Sequence, residues 1–136
     1  MRFEYNVEGG DFTQAGTASS QVKKNLKQLG VDSSIIKRVV VALYEAEVNV
    51  VAHAYRGTIF VDIESTGIVM KLVDEGPGIP DVALAMTKGF STASPEVREM
   101  GFGAGMGLPN IRENADSLSI DTVVGKGTTL NIEIKF

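Results

Sequence analysis

Two loops of the chain carry more glycine than turns alone need. One is Asp74-Glu75-Gly76-Pro77-Gly78; the other is Gly101-Phe102-Gly103-Ala104-Gly105-Met106-Gly107. Glycine removes the side chain, so backbone N–H groups can approach an anion closely. The second run leads into a helix start at Leu108, and a helix N-terminus adds oriented donors and partial positive charge. A phosphate cradle is the chemistry on offer; a flexible loop or a tight packing point would use the same glycines. The familiar phosphate-loop templates do not fit. Gly125-Lys126 is followed by Gly127 rather than Ser or Thr, and Gly103-Ala104-Gly105 meets Gly107 one residue early for G-x-G-x-x-G. The His-Arg-Asp loop of ordinary protein kinases is absent.

A carboxylate and an amide form the second set. Glu45 and Asn49 are four residues apart, which puts them within roughly 40° of each other on a helix. Their neighbours Ile36, Val39, Val40, Leu43 and Val50 are apolar. Polar groups on such a helix are costly unless they face a polar cavity or solvent. In a cavity, the carboxylate can orient or deprotonate a hydroxyl, and the amide oxygen can ligate a hard cation such as Mg²⁺. A solvated helix face is the plainer reading. Glu47 lies roughly 160° around from Asn49 and cannot share its site; nothing in the sequence accounts for it. His53, one turn beyond Asn49, reads as a structural hydrogen-bonding group near the helix end.

The elements that must position these residues follow from periodicity. Arg2 to Glu8 alternates as a half-exposed strand. Asp11 or Thr13 can cap a helix carrying Ala15, Ala18, Val22, Leu26 and Leu29, which Gly30 ends. Asp32-Ser33-Ser34 caps a longer helix from about Ile35 to Tyr55, with Gly57 as its stop. Thr58 to Ser65 and Ile68 to Val73 are strands, the second apolar enough to be central. A short helix is expected from Asp81 to Thr87, and a helix from Gly107 to Leu118. Ser119 to Val124 and Thr128 to Phe136 close the chain as a hairpin around Gly125-Lys126-Gly127. This order predicts one domain over residues 1–136. It is a two-layer α/β sandwich with a mixed, mostly antiparallel sheet of about five strands and helices on one face.

Composition bounds the function. Thirteen basic and seventeen acidic residues give a net charge of −4, with the basic ones scattered, which disfavours nucleic acid as a partner. There is no cysteine and one histidine, so thiolate zinc sites, a Cys nucleophile and multi-histidine metal sites are excluded. The longest uncharged run, Met100 to Ile111, is too short and too rich in glycine to span a bilayer. The N-terminal residues lack the apolar core of a signal peptide, so a cytoplasmic protein is expected.

Taken together and in order, Glu45-x-x-x-Asn49, Asp74-x-Gly76-x-Gly78 and the Gly101–Gly107 run resemble the GHKL ATPase superfamily, which includes gyrase, histidine kinases and the mismatch-repair ATPase. The resemblance covers about residues 35 to 136. The pattern Glu-Ala-x-x-Asn-x-x-x-His-x-Tyr from Glu45 to Tyr55 and the closing Gly125-Lys126-Gly127-Thr128-Thr129 look most like the anti-sigma-factor serine kinases and their switch-kinase relatives. Gly105-Met106-Gly107-Leu108-Pro109 leans toward the latter.

The resemblance implies a Bergerat-type fold of the histidine-kinase-like ATPases, with ATP and Mg²⁺ as cofactors. Asn49 would hold the Mg²⁺ and Asp74 the adenine amino group, with Thr128 nearby through water. Gly76 and Gly78 would let the base lie against backbone. Gly103, Gly105, Met106 and Gly107 would contact the phosphates, under a lid from Lys88 to Met100. Glu45 would be the general base. The lid arginine of the anti-sigma kinases has no secure counterpart here, Arg98 being the nearest.

The implied activity is an ATP-dependent protein serine/threonine kinase acting on a small STAS-domain antagonist. A sigma-factor partner and a homodimer are compatible with it. The alternative is a nucleotide-gated regulatory module that transfers nothing; the Glu45 carboxylate favours the kinase, since a pure binder needs no base. A histidine-kinase catalytic domain is disfavoured, because the phosphoacceptor hairpin is missing and the one histidine sits in the nucleotide helix.

Overall fold

A computed structural model describes residues 1–87 and 107–136. Strand β1, Arg2–Glu8, alternates as expected, with Phe3, Tyr5 and Val7 turned inward. A 3-10 turn, Phe12–Gln14, follows, and Gly16 redirects the chain with φ +95° into helix α1, Thr17–Gln28. α1 therefore starts later than predicted, and neither Asp11 nor Thr13 caps it. The Thr13 hydroxyl donates instead to Asp11 Oδ1, at 2.6 Å. Ala18, Val22 and Leu26 are buried, whereas Leu29 lies past the last turn and is 48% exposed. Gly30, at φ +73°, makes the predicted stop.

Helix α2, Ser33–His53, begins where Asp32 Oδ1 accepts the Ser34 N–H at 2.8 Å. It ends before Gly57. Ala54 is already extended, and the Tyr55 N–H donates to the Glu75 carbonyl at 2.8 Å, which captures the chain for the sheet. Gly57 belongs to strand β2, Arg56–Glu64, opposite Val7 on one side and Asp74 on the other. Strand β3, Gly67–Glu75, is central as predicted. Next come α3, Val82–Ala85, and α4, Gly107–Asn114, then strands β4, Ser117–Val123, and β5, Gly127–Lys135. Leu118, expected to end the helix, is a β4 residue.

The strand order is β1-β2-β3-β5-β4, and among the described residues every pairing is antiparallel, so this sheet is not mixed. The β4–β5 hairpin folds back so that β5, not β4, lies beside β3. Ile59, Val61, Ile68, Met70, Leu72, Leu130 and Ile132 meet Val39, Leu43, Val50, Leu108 and Ile111 in one core on the helical side. Each such side chain contributes about 1.5–3 kcal/mol by leaving water. That burial, more than helix propensity, holds α2 against the sheet. α4 lies chiefly against α2. Its far end is tied there by Arg38, whose Nε donates to the Asn114 carbonyl at 3.1 Å and whose Nη2 meets Asp116 Oδ1 at 3.2 Å. Among the described residues no helix is long and apolar enough to cross a membrane.

Candidate functional site

Helix α2 carries Glu45 and Asn49 one turn apart, and its C-terminal end abuts the loop that follows β3. In its middle, Glu45 is half-buried and faces the start of α4. Asn110 Nδ2 donates to Glu45 Oε1 at 3.3 Å. The other oxygen, Oε2, stands beside Gly107: a Cβ built there would lie 3.5 Å from it, an ordinary contact. Among the described residues, then, nothing in the packing compels a glycine at 107. Bare backbone at the first turn of α4 sits next to a carboxylate oxygen.

One turn on, Asn49 is half-buried, and its side chain makes no hydrogen bond among the described residues. Its amide oxygen is a hard donor that no described residue claims. That fits Mg²⁺, which takes few protein ligands and fills its shell with water and phosphate oxygens. His53, in the last turn, is half-buried, and burial holds its imidazole below the ordinary value and so neutral near pH 7.

At the end of α2 the chain abuts the Asp74 loop. Asp74, near the end of β3, is half-buried, and its Oδ1 accepts the Thr128 N–H at 3.0 Å. Burial pushes its carboxyl above the ordinary value, and the Thr128 N–H pulls the other way. The loop that follows is pinned to the β4–β5 turn. The Gly76 N–H donates to Lys126 O at 3.0 Å, the Gly125 N–H to Pro77 O at 2.8 Å, and the Ile79 N–H to Thr122 Oγ1 at 2.8 Å. Thr122 and the buried Thr128 share a hydroxyl–hydroxyl bond of 2.9 Å.

Both loop glycines have a packing reason. A Cβ on Gly76 would come within 3.0 Å of Ala54 Cα. Gly78 has φ +77°, and its Cβ would fall 2.6 Å from the Val123 carbonyl. The loop is therefore a built ledge, fixed to α2 on one side and to the hairpin on the other. From Glu45 to His53, the last residue of α2 before Ala54, is about 12 Å at about 1.5 Å per residue. That is the length scale of a nucleoside triphosphate from base to terminal phosphate.

Of the sequence-predicted residues, Glu45 and Gly107 come together at one end of this span, Asp74, Gly76, Gly78 and Thr128 at the other, with Asn49 between. Arg98, Gly103, Gly105, Met106 and the Lys88–Met100 segment lie outside the described residues. Asn110 and Thr122 were missed. Asn110 reaches a partner 65 positions away, and no local pattern marks that. Glu47 now has an account. It is 2% exposed, and its two oxygens accept the Ala18 and Ser19 N–H groups at 3.1 and 3.3 Å. It caps α1 from across the helix pair. A groove of about 510 Å³ between Leu29, Ile35, Ile63 and Phe136 lies at the opposite end of the sheet and holds none of the candidate residues.

The family model described as "Histidine kinase-like ATPase domain" matches residues 10–134. The serine/threonine-protein kinase RsbT of Bacillus subtilis is 32% identical over 118 residues, covering 83% of each chain. The anti-sigma F factor of Caldanaerobacter subterraneus subsp. tengcongensis is 35% identical over 96 residues, 67% of this chain and 64% of that one. A mycobacterial sensor histidine kinase, MprB, superposes with a TM-score of 0.55 over 99% of this chain and 97% of the other, at 16% identity, a likeness of fold.

Proposed function

The chain belongs to the histidine kinase-like ATPase domain family, and from that premise we propose that it binds ATP with Mg²⁺ and phosphorylates a small regulatory protein. The acceptor is a serine or threonine hydroxyl, in keeping with the name of the Bacillus subtilis relative. The observation that carries the reading is the Glu45 carboxylate, with one oxygen engaged by Asn110 and the other beside the bare backbone of Gly107. A module that only held nucleotide would have no use for a base there.

The residues divide the work by position. Asp74 keeps Oδ2 for the adenine amino group while Oδ1 stays on Thr128, and the ledge of Gly76 to Gly78 supports the base. Asn49 would hold Mg²⁺, which neutralises phosphate charge when bound. Gly107 offers backbone N–H at the phosphate end, joined on sequence alone by Gly103, Gly105 and Met106. Glu45 takes the proton of the acceptor hydroxyl as its oxygen bonds to the γ-phosphorus. The bond from that phosphorus to the β,γ-bridging oxygen breaks, and ADP leaves with the electron pair. The acceptor is a STAS-domain antagonist, with a sigma factor as a further partner in keeping with the anti-sigma F relatives. The protein acts in the cytoplasm, where ATP is supplied.

Isothermal titration tests the nucleotide half. ATP should give a binding heat that needs Mg²⁺ and is lost with EDTA or in Asn49→Ala. Binding unchanged in Asn49→Ala would overturn the metal assignment.

A further inference from the structure

We propose that Asn110 is a positioning residue for phosphoryl transfer, aiming the Glu45 carboxylate by holding one of its oxygens. The inference rests on Glu45 as the base. A glutamate side chain has three torsions, and a carboxylate left to itself would sample several orientations. Here the Asn110 amide donates to Oε1 at 3.3 Å, which leaves Oε2 as the oxygen beside Gly107. A hydrogen bond to a charged acceptor is stronger than a neutral one, so it can hold an orientation. An amide neither gives up nor takes a proton at this step, so Asn110 does not compete with the acceptor hydroxyl.

Asn110 can act this way because its own place is fixed. Its neighbours Leu108 and Ile111 are buried in the core. Its backbone carbonyl accepts the Asn114 side-chain N–H at 2.8 Å, and the Asn114 carbonyl accepts Arg38 Nε at 3.1 Å. One turn of α4 therefore carries both the bare backbone at Gly107 and the amide that fixes the base. The base is set relative to the phosphate end of the site by a single rigid segment.

The test is steady-state and single-turnover transfer from γ-labelled ATP to a STAS-domain protein that binds the wild-type chain. Asn110→Ala should lower kcat about 10–100-fold while KM for ATP stays within about 2-fold. Asn110→Asp keeps the shape but turns the donor into a second carboxylate, and should lose at least as much. Should Asn110→Ala unfold, Asn110→Asp still carries the test. In a Glu45→Gln background, Asn110→Ala should add less than about 2-fold, because the group it aims is gone. Losses that multiply in the double variant, or a raised KM with kcat intact, would overturn the positioning role while leaving Glu45 as base. Full transfer by Glu45→Gln alone would remove the base assignment, and the inference with it.

Discussion

The proposed site gives each oxygen of Asp74 its own job. Oδ1 holds the Thr128 N–H and so the start of β5, which leaves Oδ2 for a donor such as the adenine amino group. Guanine carries an oxygen at that ring position and would meet the carboxylate acceptor to acceptor. A site built around such a bond rejects the analogue strongly. ATP should therefore outcompete GTP on the order of 10²-fold or more, and Asp74→Asn should erase most of the difference. Equal affinity in the wild type would reduce Asp74 to a turn residue. The same side chain gives a pH signature. Burial raises its proton affinity in the free protein, so ATP must displace that proton as pH falls. ATP binding should weaken on acidification at a pH above the ordinary Asp value, 3.8, and that weakening should be smaller in Asp74→Asn. Titration calorimetry across pH reads both. Asp74 and its glycines were legible in the sequence because an Asp-x-Gly-Pro-Gly run is local. Thr122, which fastens that loop to the hairpin, was not, because its bond to Ile79 crosses 43 positions.

Among the elements, α1 departs most from its predicted form. Local capping logic placed its start near Asp11 or Thr13, but Gly16 brings no side chain and the cap arrives from Glu47 on α2. A cap supplied from 28 and 29 positions away has no sequence signature. α2 was legible from Asp32 through its apolar stripe; its end was misjudged because strand pairing at Tyr55, not a glycine, stops it. Glu47→Ala should cost about 2 kcal/mol of stability, since it strands two buried N–H groups; urea unfolding at neutral pH measures it. Burial outweighs those hydrogen bonds and raises the Glu47 carboxyl above its ordinary value of 4.5. The folded chain therefore binds this proton more tightly than the unfolded chain does. The stabilisation linked to that proton is full below the ordinary value and is lost as pH rises through the raised one. Unfolding curves at several pH values should show stability falling in that window for the wild type, and no such contribution from this position in Glu47→Gln. A slope that persists unchanged in Glu47→Gln would show that other groups carry it.

Over the whole molecule, α2 runs the length of the proposed site. Its middle carries Glu45 against α4, and its end carries the Asp74 ledge against the hairpin, so a nucleotide lying along it would reach both. The layer order and nearly every element were legible because alternation and helical spacing are strong here; the wholly antiparallel pairing was not, because the insertion of β5 beside β3 is a long-range choice. The central claim is that this layout performs transfer and does not merely hold nucleotide. It is tested most directly by following labelled phosphate from ATP to a STAS-domain partner, with wild type, Glu45→Ala and Glu47→Ala side by side. Glu45→Ala should bind ATP almost as well as wild type yet transfer about 10²–10⁴-fold more slowly, since the base acts in the transition state. Glu47→Ala, where folded, should still transfer. If Glu45→Ala transferred at the wild-type rate, or if the wild type passed no phosphate to a partner it demonstrably binds, the account would be contradicted and a nucleotide-gated binding module would stand in its place.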